Sequence, residues 1–541
     1  MARVFHLPPF ALLVVTLGTL TLNSARGATY HVSSGGSDKN DGLSERTAWR
    51  TLGQVNGTRL KPGDAVLLKR GDTFTGTLEP QGSGSAKAPI RLGAYGSGSR
   101  PVISAGSHRQ AVRLFNQEYW EISDIETTGG TRFGIYVGGD LKERTLRHIY
   151  ITDVSVHDVR TKEKPQYDAG LIVVMPSGDR MIFDDVRIRN ATAFDTNQWW
   201  GIHVGWNDQH GYPSPGYPQS TRIEITNCTV HHCGGDPITV ASCDGAVLER
   251  NLAYEGGLAP EGSVSQMYTP VAIWSWASSN VVVQFNEVYG MHTYGSNGAD
   301  GGAFDVDWGS KNVTIQYNYA HDNEGYGAAI FAGKGHVTSN TIIRFNIFSN
   351  NDRRSGGSSG EITVYGDDAK GTAFDGIQIY NNTFYRVPSS DAAAMYVVNL
   401  SRSGSRPFLF ENNLIYSEGP MMINLPAGFS SDHNLFWSSK TPIAVSWQYR
   451  GTTYASLAEY SKATGQDVHS LVAAPRVNSP TYHEIGAPET QFRLERGSPA
   501  FGSGKAVADM GTRDFFGNKV DGLGSINIGA DNGTRPVAAV D

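Results

Sequence analysis

Asp305 and Asp307 stand two residues apart in Ala303-Phe304-Asp305-Val306-Asp307, and Trp274 and Trp276 hold matching places in Ala272-Ile273-Trp274-Ser275-Trp276. In a strand, side chains i and i+2 share a face and start about 7 Å apart. That spacing falls near the lower end for the carboxyl pair of an inverting glycosidase, in which one acid protonates the leaving oxygen and the other activates water. Two like charges so close raise one pKa, as a general acid requires. Exposed indoles beside them supply flat apolar faces for sugar rings. The same carboxylates can instead hold a calcium ion, with Asp300 from the preceding turn as a third oxygen donor. The plainer alternative is a pair of solvated aspartates next to tryptophans packed under a loop.

Further candidates surround this pair. Glu324, in His321-Asp322-Asn323-Glu324, can reach the same face from the following loop. His203 and His292 are candidate proton carriers or subsite contacts. Glu361 and Tyr365 lie on a neighbouring segment as candidate substrate contacts. Elimination chemistry would need a base and a cation to neutralise a uronate carboxylate. Lys334, at the end of the segment containing Phe331, is the best placed of the basic residues, with His203 as an alternative base.

The elements that must position these residues are repeats. Gly201-Ile202-His203-Val204, Pro237-Ile238-Thr239-Val240, Ala272-Ile273-Trp274-Ser275, Ala303-Phe304-Asp305-Val306, Ala329-Ile330-Phe331-Ala332 and Glu361-Ile362-Thr363-Val364 read as one strand rewritten six times. A second strand ending in asparagine recurs between them, as in Val283-Gln284-Phe285-Asn286 and Ile315-Gln316-Tyr317-Asn318. The irregular period of roughly 20 to 40 residues predicts a solenoid with loops of variable length. Stacking the first set with Ile202, Ile238, Ile273, Phe304, Ile330 and Ile362 inward puts His203, Thr239, Trp274, Asp305, Phe331 and Thr363 in one outward column. Gly205, Ala241, Trp276, Asp307, Gly333 and Tyr365 form the next, and Glu361 ends a third. Asn286, Asn318, Asn346, Asn382, Asn413 and Asn434 are expected to be structural, bonding the backbone at a tight bend and the asparagines above and below.

Together these features resemble the right-handed parallel β-helix of the pectate-lyase-like superfamily, over nearly the whole chain and including the opening Tyr30-His31-Val32-Ser33 with Gly36 and Asn40-Asp41-Gly42. The resemblance implies an all-β fold, a single-stranded right-handed parallel β-helix with N-terminal and irregular C-terminal caps, and carbohydrate-active chemistry. It does not choose among hydrolases, lyases and epimerases. The polygalacturonase motifs are missing, and an Asp-Pro-His-Asp motif of the mannuronan-epimerase type is only half present, as Asp236-Pro237-Ile238-Thr239.

The chain has 541 residues, a net charge of -7 and 64 glycines, which suits one long turn-rich domain and argues against nucleic acid or an anionic membrane as partner. An apolar run from Phe10 to Leu22 before Ala25-Arg26-Gly27 predicts a signal peptide over 1–27 and a secreted or periplasmic protein. A cap is expected over 28–85, coils over 86–440, and a helix with a wrapping tail over 441–541. The three cysteines exclude a disulfide framework, although one pair can bridge. The reading is an exported, monomeric glycoside hydrolase that needs no cofactor and acts on a polysaccharide or oligosaccharide. The alternatives are a calcium-assisted lyase or uronate epimerase, and a non-catalytic glycan-binding surface protein.

Overall fold

β-branched and aromatic residues at alternate positions favour strands that bury one face. In Ser279–Gln284, Val281 and Val283 point into the core while Asn280, Val282 and Gln284 face outward. A computed structural model describes residues 27–534, apart from 163–167, 206–216, 259–268, 294–299, 334, 355–358, 367–372, 388–394, 401–407, 427, 441–443, 482–483, 521 and 523. The strands stack into three long sheets of 14, 14 and 13 strands, parallel except for one terminal hairpin. From Ile90–Tyr95 onward, each coil contributes to the first, second and third sheet in turn, as in Ser279–Gln284, Glu287–Tyr289 and Gly302–Val306. The interior is one continuous apolar column running from Val32 to Tyr460.

The turn between the first and second sheets is the most regular part of the coil. It has a left-handed residue, followed by Ile125, Val154, Ala191 or Cys228 in the earlier coils and by asparagine from Arg250-Asn251 onward, and the left-handed place is taken even by Phe285, Tyr317 and Phe345, with φ of 56°, 59° and 50°. Bulky residues in this region cost on the order of 1–3 kcal/mol each and persist only where their surroundings over-determine them. Here the surroundings are a buried ladder running Asn251, Asn286, Asn318, Asn346, Asn382, Asn413 and Asn434. From Asn286 onward the asparagine Oδ1 accepts from the backbone N–H and the Nδ2 of the rung before it, at 2.9 and 3.0 Å where Asn318 receives Asn286, while Asn251 accepts from the Cys228 N–H. The Asn318 Nδ2 also donates to the carbonyl of Val283 at 2.9 Å. The six asparagines expected to be structural are all rungs, and Asp467 and Ser470 close the ladder on Asn434.

At the N-terminal end, the helix Leu52–Gly57 buries Leu52 and Val55, and the strand Thr29–Val32 is the first of a 14-stranded sheet. At the other end, the hairpin of Val445–Tyr449 and Thr452–Tyr454 leads into the helix Leu457–Thr464. Ser456 caps that helix by accepting from the Glu459 N–H, and Gly465 ends it at φ 73°. The chain then returns along the outside of the stack, where Asn381 and Asn412 donate to the carbonyls of Asn527 and Lys505. Cys228, Cys233 and Cys243 are buried free thiols, and burial pushes the Cys228 pKa up to about 12. The expected signal segment falls almost wholly on residues 1–26, outside the described residues. Among the described residues no helix is long and apolar enough to cross a membrane.

Removing one rung strands several buried donors and acceptors at once, each costing about 1–3 kcal/mol. Asn318→Ala is therefore expected to lower unfolding free energy by about 3 kcal/mol in chemical denaturation. A loss below about 1 kcal/mol would contradict the ladder's role.

Candidate active site

The third sheet carries the acids on its outer face. Its register aligns His203 with Thr239, Thr239 with Trp274 and Trp274 with Asp305, as the repeats predict. The next coil departs from that alignment. Asp305 faces Ala329 rather than Phe331, and Ala329 faces Thr363. Phe331 is instead in register with Tyr365, so this coil sits two residues out of step with the expected stack. A shift of two preserves which side chains face outward, and so the apolar pattern could not detect it.

Asp305 points to the outer face but is only 7% exposed. Tyr326, itself 3% exposed, places its hydroxyl 3.1 Å from Asp300 Oδ1 and 3.4 Å from Asp305 Oδ2. Those two carboxylate oxygens therefore lie no further apart than the sum of these distances. Burial raises the Asp305 pKa well above the usual carboxylate value, and Asp307 and Asp300 raise it further. Its Oδ1 is buried without a hydrogen-bond partner among the described residues. Asp300 is half-buried, and burial lifts its pKa to about 6 against the pull of the Tyr326 hydroxyl and the Arg354 charge. Asp307 is also half-buried, and its Oδ1 accepts from the Trp308 N–H at 2.8 Å. Burial and the surrounding carboxylates hold the proton on Tyr326, which stays a donor.

Several expected contacts are placed differently. Trp274 and Trp276 are 8% and 5% exposed, packed with Val271, Tyr326 and Ala329 instead of offering open faces. The exposed aromatic surface next to the acids is Tyr365, which is 56% exposed and stacks on Phe331 at 5.1 Å, with Phe331 in turn 5.5 Å from Trp308. His203 is 1% exposed, lies flat on Trp200 at 3.6 Å, and is three coils from Asp305, so it is no proton carrier for that acid. Glu361 is fully buried in the corner before its strand. It accepts from the Asn351 N–H at 2.9 Å and from Asn351 Nδ2 at 2.6 Å, ending a shorter ladder that begins at Asn323. A side chain pointing inward cannot contact substrate.

His292 and Glu324 meet at the neighbouring corner, where His292 Nε2 lies 2.6 Å from Glu255 and Nδ1 lies 3.3 Å from Glu324. Glu324 also accepts from the Thr293 N–H at 2.6 Å. Lys334 lies outside the described residues. For calcium, the donors would have to converge. The donor set that gathers within 4.8 Å among the described residues is Asp432, His433 and His469, not Asp300, Asp305 and Asp307.

Sequence reasoning missed Tyr326 and undervalued Asp236. Tyr326 sits in Gly325-Tyr326-Gly327, just ahead of the recognised repeat, where strand alternation says nothing. Asp236 is 1% exposed and accepts from Trp199 Nε1 at 2.8 Å and the Val271 N–H at 3.0 Å. Burial, with a contribution from Asp300, pushes its pKa up to about 7. Its visible signal was the half-motif Asp236-Pro237.

Residues 216–384 match the family model described as a right handed beta helix region. With the three sheets, this establishes a right-handed parallel β-helix. The chain is similar to a lacto-N-biosidase of Bifidobacterium longum subsp. longum, at 27% identity across 93% of this chain and 36% of that protein. The chain thus spans about a third of the length of that relative. Among solved structures, a GH136 lacto-N-biosidase from Eubacterium ramulus superposes with a TM-score of 0.58 at 23% identity, covering 72% of this chain and 68% of that one. XylC in complex with xylose superposes with a TM-score of 0.51 at 10% identity, covering 94% and 98%. These structural likenesses concern the fold.

The buried acids make stability depend on pH. A carboxyl with a folded pKa above its unfolded value holds its proton more tightly when folded, so its contribution is full at low pH and is lost as pH rises through the folded pKa. Asp300 at about 6 and Asp236 and Glu361 at about 7 act in this direction. The raised His292 and His321 reinforce them, and the lowered His231 opposes them. The thermal midpoint is expected to fall between about pH 5 and pH 8. A rise across that window in calorimetry would contradict the buried placement of these acids.

Proposed function

We propose that this chain is a glycoside hydrolase in which Asp300 and Asp307 are the reacting carboxyls and Asp305 is the buried acid between them. The observation that carries this reading is the Asp300–Tyr326–Asp305 cluster beside Asp307 on the outer face of the third sheet. A sugar can touch only groups that remain open. Asp300 and Asp307 are half-buried, whereas Asp305 is almost sealed. The repeat-based pair of Asp305 and Asp307 therefore gives way to Asp300 and Asp307, with Asp305 as a positioning residue.

A general acid works best with a pKa near the operating pH, and a value of about 6 suits Asp300 for protonating a glycosidic oxygen. As the bond to the leaving group breaks, its electron pair stays on that oxygen, which takes the Asp300 proton. The positive charge developing on the sugar is met by the second carboxylate, Asp307, either directly or through an activated water. Tyr365 over Phe331 supplies the apolar face for a bound ring. The similarity to proteins named lacto-N-biosidases supports hydrolysis and makes an oligosaccharide carrying the lacto-N-biosyl unit the first substrate to try.

Incubation of the full chain with such oligosaccharides should release reducing ends without an unsaturated product. Ultraviolet-absorbing ends would instead identify a lyase, and binding without any product a glycan-binding protein. Asp300→Asn and Asp307→Asn are each expected to lower kcat/KM by roughly 10³-fold. Asp305→Asn should cost at least about tenfold less than either, because it is not the proton donor; an equal or larger loss would reinstate Asp305 as a reacting group. In Tyr326→Phe the hydrogen bond that favours charged Asp300 is gone, so the Asp300 pKa rises and the alkaline limb of the pH profile moves above its native position near 6. A limb that stays in place or moves down would separate that limb from Asp300.

A further inference from the structure

Outside the acid face, a second cluster of ligating side chains closes the C-terminal end of the stack. Asp432 ends the strand Phe429–Asp432, His433 follows it in left-handed conformation at φ 54°, and His469 lies beyond the C-terminal helix. One ligand atom from each of the three gathers within 4.8 Å. The two rings stack at 5.0 Å. The His469 N–H donates to Asp432 Oδ1 at 2.7 Å, which turns Oδ2 towards both imidazoles. Oδ2 lies 3.3 Å from His433 Nδ1 and 2.7 Å from His469 Nδ1.

We propose that Asp432, His433 and His469 form a binding site for a borderline divalent transition cation, zinc being the natural test, which fastens the segment after the C-terminal helix to the last coil. Two imidazoles and a carboxylate are a donor set that zinc accepts, with bonds of about 2.0–2.2 Å and hence tetrahedral ligand edges of about 3.3–3.6 Å. The Asp432–His433 edge already has that length. The Asp432–His469 edge is shorter and is closed by a proton that a cation would replace. His433 Nδ1 is buried and, although 3.3 Å from Asp432 Oδ2, makes no aligned hydrogen bond among the described residues, so a cation held by both atoms would satisfy it. The His469 side chain is 67% exposed, which gives the ion an entry path and leaves its fourth position to water. The inference is independent of the proposed hydrolase chemistry, which uses other residues on another sheet.

The test titrates the full chain, freed of metal by chelator and dialysis, with zinc chloride in a calorimeter, and repeats the titration with His469→Ala and His433→Ala. The expected result is one ion bound per chain with micromolar or tighter affinity, weakened at least about 30-fold in either variant. Saturation should raise the thermal midpoint by about 2 °C or more, as for any ligand that binds only the folded chain. His469 is largely exposed, so its removal should leave circular dichroism unchanged and keep the comparison valid even if His433→Ala misfolds. Absence of binding up to millimolar zinc would overturn the proposal. So would equal binding by the His469→Ala chain, which would place the ion elsewhere, for instance at His231 and His232, whose Nδ1 atoms lie 2.7 Å apart.

Discussion

The asparagine ladder is the constraint on which the stack depends from Asn251 to Asn434. A coil that closes in so few residues must turn sharply between its first two sheets, and a sharp turn buries backbone N–H and C=O groups out of reach of either sheet's ladder. Each asparagine meets that need twice, by accepting from the rung before it and donating to a carbonyl of the coil below. The gain is large enough to hold Phe285, Tyr317 and Phe345 in a backbone conformation they otherwise avoid. Their rings then stack outside the turn, with centroids 5.1 Å apart for Phe285 and Tyr317, which recovers part of the cost.

Low exposure governs the chemistry in a similar way. Asp236, Asp300, Asp305 and Glu361 all carry raised pKa values with burial as the leading cause, but their surroundings divide their roles. Glu361 spends both oxygens on Asn351 and holds a corner together. Asp305 keeps one oxygen without a hydrogen-bond partner among the described residues, next to two other acids. A buried polar atom left unsatisfied in a cluster of like charges marks a candidate functional site.

The fold was legible from sequence because its determinants repeat. Each rung announces itself as Asn at the end of an alternating strand, and Asn286 to Asn434 could be picked out one by one. The site was legible only in part. The strand alternation put Asp305 and Asp307 on the correct face, yet it could not see that the coil holding Ala329 is shifted by two, because such a shift changes no side chain's facing. Nor does alternation report what covers an outward residue, and so Trp274 and Trp276 were expected in the open although Val271 and Tyr326 pack over them. Asp300 was weighed only as a calcium ligand, and Tyr326 not at all, because both precede their strands in stretches without periodicity.

The passage from the first sheet to the second keeps its left-handed residue and asparagine throughout the ladder, as at Arg250-Asn251 and Tyr317-Asn318. The connections flanking the third sheet are free to vary, from the one residue between Ala241 and Cys243 to the sixteen between Tyr254 and Val271. Changes of length are therefore tolerated on the rim of the third sheet and penalised at the opposite corner. Insertions can thus reshape the outer face of the third sheet while leaving the spine that folds the chain untouched.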